Sequence, residues 1–234
     1  MTEHDARIAE MFDRIAPRYD RLNRVLSFGM DVGWRARALE LAALDAGQVA
    51  VDVGVGTGDL SLGILAASPP TARVIGVDLS PRMLELSRRR LARWLGSRYQ
   101  PVVANAEALP LPDASVDRLV SGFTLRNIGD LPRALREAHR VLRPRGRAVL
   151  LELSHPPGTL FHLVYRWYFE RVAPPLAIAF GGDPEAYRYL PRSLRPFPDA
   201  ERLAAAVRDA GFERVRFERL TLGIAAIHVG EKAG

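Results

Sequence analysis

One run of nine residues constrains this chain more than any other feature: Val51-Asp52-Val53-Gly54-Val55-Gly56-Thr57-Gly58-Asp59. Valine-rich sequence suits a buried strand. Three glycines at alternate positions then break it, and a helical pattern starts at Leu60. Glycine lets a backbone bend sharply and approach a ligand closely, and the N-terminus of the following helix faces that ligand. A strand, a glycine turn and a helix in this order make one unit of an α/β chain, and repetition of such units implies a parallel sheet.

The rest of the chain repeats the unit. Residues 73–78 form a second predicted strand. Ser80-Pro81 then opens a helix that runs to about Leu95, with Leu84, Ser87, Leu91 and Leu95 on one face. Residues 101–104 and 117–121 read as further strands. A helix over 131–142 stops before Pro144 and Gly146, and residues 147–153, apolar on both faces, make a central strand. Before the first strand, Ile8, Met11, Phe12 and Ile15 follow helical spacing up to Pro17. An irregular stretch follows from Tyr19 to Met30, then a helix over about 32–44. Asp199 caps a last helix ending at Gly211, and residues 213–220 and 224–229 form a terminal hairpin. Residues 155–198 are rich in proline and aromatics and read as an inserted cap. Its helix, 160–172, carries Phe161, Val164, Tyr165, Tyr168 and Val172 on one face, with Trp167 at a boundary. The segments divide one expected domain into a helical entry (1–45), a core (46–154), the cap (155–198) and a last helix with hairpin (199–234).

Composition narrows the chemistry. The chain has 234 residues and no cysteine, which excludes a disulfide scaffold, a thiolate zinc site and a cysteine nucleophile. The five histidines are scattered, and no metal site is expected. The net charge is +6, with 32 of 33 basic residues arginine, spread along the whole chain. No basic patch with interleaved aromatics suggests nucleic acid. Residues 60–72 and 153–165 are the longest stretches free of Asp, Glu, Lys and Arg, at thirteen residues each. A membrane span needs roughly 20. A cytoplasmic protein is expected, peripheral at most at the inner face of the plasma membrane, with the cap as the contact.

The glycine spacing chooses between ligands. Dinucleotide sites place the third glycine five residues after the first. Here it falls four after, and Asp59 holds the fifth position, where it would repel a pyrophosphate. A sulfonium cofactor has no phosphate to repel. Asp78 ends the second strand 20 residues beyond Gly58, where a carboxylate can accept ribose hydroxyls. Asn105-Ala106 follows the third strand at the same sheet edge, where an amide could read an adenine edge. Together these positions resemble the class I S-adenosylmethionine-dependent methyltransferases. The resemblance implies a cofactor site of Asp52, Gly54, Gly56, Thr57, Gly58, Asp78, Leu79, Asn105, Ala106 and Gly122.

Two longer stretches, Tyr19 to Arg35 and Arg140 to Ser154, resemble the signatures of the ubiquinone/menaquinone biosynthesis C-methyltransferase family. Thr124-Leu125-Arg126-Asn127-Ile128 and residues 222–230 are similar to two further elements of it. The chain departs at Asp31, where the family usually has histidine, and at Pro144-Arg145-Gly146, where it usually has Pro-Gly-Gly. The resemblance implies an α/β fold: a doubly wound, mostly parallel, seven-stranded Rossmann-like sheet with a C-terminal antiparallel hairpin and an inserted helical cap. It implies methyl transfer from S-adenosylmethionine to a prenylated quinol, demethylmenaquinol by preference, releasing S-adenosylhomocysteine, and it is compatible with a homodimer while leaving the oligomeric state open. The expected catalytic residues are Arg126 and Asn127, which stabilise or orient a phenolate, and Tyr19, which closes over the methyl donor. Arg126 paired with a nearby acid to hold its loop is the competing reading. His155 and His228 are candidate bases or structural groups. Another lipophilic or phenolic acceptor, a nicotinamide oxidoreductase and a non-catalytic adenosyl-binding module are the alternatives.

Overall fold

The computed structural model describes residues 2–234. Helices α1 (Glu3–Ile15), α2 (Tyr19–Leu26) and α3 (Met30–Leu41) precede the sheet. The core alternates β1 (Val49–Val53), α4 (Asp59–Ala67), β2 (Arg73–Asp78), α5 (Pro81–Arg90), β3 (Tyr99–Val103), β4 (Val116–Gly122), α6 (Leu131–Val141) and β5 (Leu142–Leu153). The cap holds α7 (Thr159–Trp167), α8 (Ala173–Ala179) and α9 (Pro184–Leu194). Then come α10 (Ala200–Asp209), β6 (Glu213–Leu220) and β7 (Ala225–Glu231).

The seven strands lie in the order β3-β2-β1-β4-β5-β7-β6. Neighbours from β3 to β5 pair in parallel, while β7 runs antiparallel to both β5 and β6. The expected sheet and terminal hairpin are therefore present. The hairpin turns back so that β7, not β6, sits against β5. Buried on every residue from Ala225 to Gly230, β7 fits an interior position, whereas β6 alternates and takes the edge. Strand order reverses between β1 and β4, and open α/β sheets bind ligands outside the carboxyl ends at such a point.

Several local expectations change. The stretch after Tyr19 is helical: α2 buries Leu22 and Leu26, a pattern that flanking Pro17 and Gly29 obscure in sequence. Helix α5 ends at Arg90. Leu91, Leu84 and Ser87 are buried as expected, but Leu95, beyond a short 3₁₀ turn, is exposed. Strand β5 starts directly at Leu142, not Arg147, because the Pro144-Arg145-Gly146 turn is absorbed into it. Arg145 there adopts φ +64, the left-handed backbone that a second glycine would take without strain. The cap does not contain one helix over 160–172. After Trp167 the chain widens into a π-helical turn, Tyr168–Val172, then continues as α8 with Pro174 and Pro175 near its start. The buried face consists of Tyr165 and Phe169, ring centroids 4.7 Å apart, while Val164 is exposed. The side chain of Phe161 lies outside the described residues.

The cap and the entry helices pack as one layer. Ile8, Met11 and Ile15 of α1, Leu22 and Leu26 of α2, and Ala177 and Tyr187 of the cap share a core with Met83 of α5. Tyr168 donates its hydroxyl to the Leu26 carbonyl at 2.9 Å, tying the cap to the end of α2. Among the described residues, no helix is long and apolar enough to cross a membrane, and no cluster of metal-ligating side chains occurs.

Candidate active site

The glycine turn is built by backbone bonds to the neighbouring strand. Gly54 and Val55 both donate to the Val77 carbonyl, at 2.8 and 3.0 Å, and Gly56 N–H donates to Asp78 Oδ2 at 2.8 Å. All three glycines have positive φ. They do different work. A Cβ on Gly54 would lie 2.1 Å from Thr124 Oγ1, so β4's exit loop needs that glycine bare. A Cβ on Gly58 would press on Leu91 and Ser87, so that glycine serves helix packing. A Cβ on Gly56 would meet nothing closer than 4.0 Å. It faces open space.

That space is a cleft of about 690 Å³ along the carboxyl ends of β1, β2 and β3. Eight of the expected site residues line it: Tyr19, Gly54, Gly56, Asp78, Leu79, Asn105, Ala106 and Asn127. Asp78, half-buried on its floor, accepts from Gly56 and Ser80 N–H. Burial pushes its carboxyl up to about 6, opposed by those amides and that of Leu79. Asn105, expected to read a base edge, donates from Nδ2 to Asp5 Oδ2 at 3.1 Å and accepts Glu107 N–H. Helix α1 thus forms one wall of the cleft, through Asp5, Ile8, Ala9 and Phe12.

A second recess, about 330 Å³, opens beside the turn and is lined by Asp52, Thr57, Gly122, Tyr19, Arg35 and Asp59 among others. Asp52 is fully buried. Ser61 Oγ donates to its Oδ2 at 2.7 Å, while Oδ1 has no partner among the described residues. Burial pushes its carboxyl up to about 7, against the pull of Ser61 and Arg35. Arg35 lies 3.6 Å from both Asp31 and Asp59, and its Nε hydrogen-bonds neither. Asp59 also pairs with Arg90 at 2.5 Å, so the acid that would repel a pyrophosphate is held by two arginines. Thr57 donates to Asp20 Oδ1 at 2.6 Å, and Arg90 bonds Asp20 Oδ2 at 2.9 Å. These contacts fasten α2 over the glycine turn. Of the expected cofactor residues, Gly58 alone lines neither space.

The third space is an apolar cavity of about 1080 Å³ between the entry helices and the cap, walled by Leu26, Met30, Trp34, Leu153, Tyr165 and Phe169 among others. Tyr19 and Phe123 belong to the walls of both cleft and cavity, so the two spaces meet there. Burial raises the Tyr19 hydroxyl above its usual range, opposed by Arg126 and Arg35, and keeps it a phenol. Arg126 lies on the cavity wall with Nη1 2.6 Å from Glu152 Oε1 and 2.8 Å from the Phe123 carbonyl. The pairing reading thus describes its position. Burial works against its charge, and Glu152 more than offsets that, so the guanidinium pKa rises. Asn127 lies across Phe123 in the cleft, with Oδ1 unpartnered among the described residues. Neither base candidate lines the cleft or the cavity: His155 bonds the Phe197 carbonyl and His228 the Ala200 carbonyl. Sequence reasoning did not single out Asp5, Asp20, Arg35, Arg90 or Glu152. Asp20 and Arg35 within the first signature, and Glu152 within the second, were marked only by falling inside those stretches.

Known proteins share this architecture and this sequence. A structure from Thermotoga maritima, described as a methyltransferase dependent on S-adenosylmethionine and possibly acting on histamine, superposes with a TM-score of 0.69. The overlap covers 96% of this chain and 99% of that one at 22% identity, a likeness of fold. Demethylmenaquinone methyltransferase of Thermus thermophilus is 49% identical over 95% of this chain and all of its own length. A ubiquinone/menaquinone biosynthesis C-methyltransferase of Geotalea uraniireducens is 42% identical over 99% of each chain. A family model matches residues 1–232, and with that span and those identities the chain belongs to the ubiE/COQ5 methyltransferase family.

Proposed function

We propose that the chain transfers a methyl group from S-adenosylmethionine to a ring carbon of a prenylated quinol, with demethylmenaquinol as the preferred acceptor. The observation that carries this reading is the junction at Tyr19 and Phe123, where the cleft that holds Asp78 and Asn105 meets a cavity walled by apolar side chains. The names of the relatives point to the same acceptor.

The residues present fit the methyl donor. The open space at Gly56 admits a ligand against the backbone. Asp78 at the cleft floor suits ribose hydroxyls, and Leu79, Ala106 and Ile128 offer apolar walls for a base. In the recess, Asp52 Oδ1 and Arg35 Nε are buried, of opposite charge and without a hydrogen bond among the described residues, although Arg35 Nε lies 3.6 Å from Asp31 and Asp59. A zwitterionic amino-acid end would complete both, its ammonium on Asp52 and its carboxylate on Arg35. Bound there, S-adenosylmethionine supplies an electrophilic sulfonium methyl.

The chain's own part is orientation and exclusion of water. A ring carbon beside a hydroxyl attacks only when that hydroxyl is ionised or nearly so. Arg126 and the Tyr19 hydroxyl, on the cavity wall, hold that oxygen and favour its ionised form. Glu152 fixes the guanidinium and tempers its charge, so Arg126 directs more than it ionises. Tyr19 and Phe123 together set the ring's approach at the junction. Alignment of this kind contributes about 7–11 kcal/mol at best. As the new carbon–carbon bond forms, the ring carbon's proton leaves and aromaticity returns. The same reading puts the enzyme at the inner face of the membrane that dissolves its acceptor, and keeps a homodimer as its assembly.

The test supplies labelled S-adenosylmethionine with reduced demethylated naphthoquinol and, separately, benzoquinol. Label is expected in the naphthoquinol ring, identified by product mass. Label in neither, with S-adenosylhomocysteine still bound tightly, would leave the cofactor site and remove the quinol.

A further inference from the structure

The cavity opens onto a part of the surface that is apolar without being packed. Phe28 is 71% exposed, Val32 47%, Val164 54%, Trp167 61% and Leu222 73%. Scattered apolar side chains on a surface are ordinary. These come from three separate segments, the α2–α3 corner, cap helix α7 and the β6–β7 turn, and each segment supplies residues to the wall of the same cavity. Phe28, Val164 and Trp167 belong to the cavity wall itself. The Phe28 ring lies 5.8 Å from Tyr168, which joins the corner to the cap. Leu222 is placed by its neighbours: Thr221 Oγ1 accepts from Trp34 Nε1, and Ile224 lines the cavity.

The backbone holds two of these side chains outward at a cost. Phe28 has φ +52 and Leu222 has φ +57. Large side chains rarely take that conformation, and glycine or asparagine would take it with less strain. The strain shows apolar groups retained where stability alone would replace them.

Charge indicates what covers the face. Arg24 and Arg166 are exposed on α2 and α7 beside it. Asp31, the acid of the α3 end of this corner, is buried and engaged by Arg24 at 3.9 Å and Arg35 at 3.6 Å. Behind Tyr165 and Phe169, which form walls on both sides, lies a polar trough lined by His155, Arg166 and Arg195, with Glu170 its one acid and already paired to Arg195 at 2.7 Å. Apolar wedges with aromatic tips, flanked by arginines, match the boundary of an anionic bilayer.

We infer that the α2–α3 corner, α7 and the β6–β7 turn form a membrane-docking face that seats the cavity mouth on an anionic lipid surface. The inference rests on the proposed quinol reading for its purpose, since a prenyl tail would pass from bilayer to cavity without crossing water. Its physical content, lipid binding, is independent of any quinol. It also revises the expected contact, which was the cap alone: two of the three docking segments lie outside the cap.

The experiment uses the full chain and vesicles of phosphatidylcholine, with and without about a third phosphatidylglycerol, containing no quinone. Co-sedimentation is expected with the anionic vesicles, weakened by salt. Trp167 should shift its emission to shorter wavelength, since Trp34 and Trp94, the other tryptophans, are buried. The double variant Val32→Glu/Leu222→Glu alters the face at residues outside the cavity wall. It should lose roughly tenfold or more of the vesicle binding while methylating a tail-less quinol as well as the parent. Equal vesicle binding by the variant, or none by the parent, overturns the inference. So does a dimer that the double variant dissociates, because the face would then join two copies. Vesicle binding without methylation of any quinol would instead refute the substrate and leave the face standing.

Discussion

At the scale of single residues, three glycines of one motif answer to three different pressures. Gly54 avoids Thr124 and Gly58 avoids α5; Gly54 and Gly56 both line the cleft, but only at Gly56 is there room for a Cβ. Gly54→Ala is therefore expected to disrupt the fold, because backbone strain adds to a contact of 2.1 Å. Gly56→Ala costs about 1–2 kcal/mol of left-handed strain and should still fold. Its affinity for S-adenosylhomocysteine should drop at least tenfold, since the methyl occupies the ligand's space. Calorimetry and thermal melts on both variants read the contrast, and equal behaviour would contradict it. Arg126 and Glu152 make a second case. Arg126→Ala strands a buried carboxylate, which costs about 3–5 kcal/mol. The paired change Arg126→Met/Glu152→Leu should recover most of that stability and none of the turnover. Recovery of both would mean that the pair only holds its loop.

At the scale of elements, α1 is a strap across the cofactor cleft. Asp5 bonds Asn105, His4 bonds the Asn127 carbonyl at 3.1 Å, and Ser80 donates its hydroxyl to Asp13. Its capping box at Thr2 and Asp5 uses the same carboxylate that meets Asn105, so the helix start and the strap depend on one side chain. Asp5→Ala should loosen α1 and speed release of S-adenosylhomocysteine several-fold, with a smaller effect on the chemical step. Stopped-flow displacement measures it, and an unchanged release rate would show that α1 does not gate the cleft. The strap was hidden in the sequence because its three attachments reach 67, 100 and 123 residues away. Periodicity marks α1 as amphipathic but cannot say that its buried face covers a ligand site. The π turn after Trp167 was likewise unreadable, since helical spacing continues through it.

At the scale of the whole molecule, pH links stability to ligand binding. Asp78 and Asp52 are raised from an ordinary value of 3.8 to about 6 and about 7. Raised carboxyls bind protons that the unfolded chain has released. Their stabilising share is therefore complete below about pH 4 and is lost as pH rises through 6 and 7. Ribose hydroxyls and an ammonium favour the ionised forms, so ligand affinity should rise across the same window. A saturating ligand adds about 2.7 kcal/mol at a hundredfold excess over Kd. The melting-temperature gain from a fixed concentration of S-adenosylhomocysteine should be larger at pH 8 than at pH 5. Equal gains at both would remove these two carboxylates from the cofactor site.

The alternation of strand and helix, the glycine turn, and the acidic and amide residues at successive strand ends were readable from sequence. Backbone conformation, strand burial and position at a strand's end are properties of a few consecutive residues. Tertiary structure alone decided that β7 enters between β5 and β6, that α2 and the cap close a cavity beside Tyr19, and that Arg35 faces Asp52 while Glu152 holds Arg126. Those pairings join segments separated by 17 to 26 residues or more, through burial and charge compensation in three dimensions, and no local pattern encodes them.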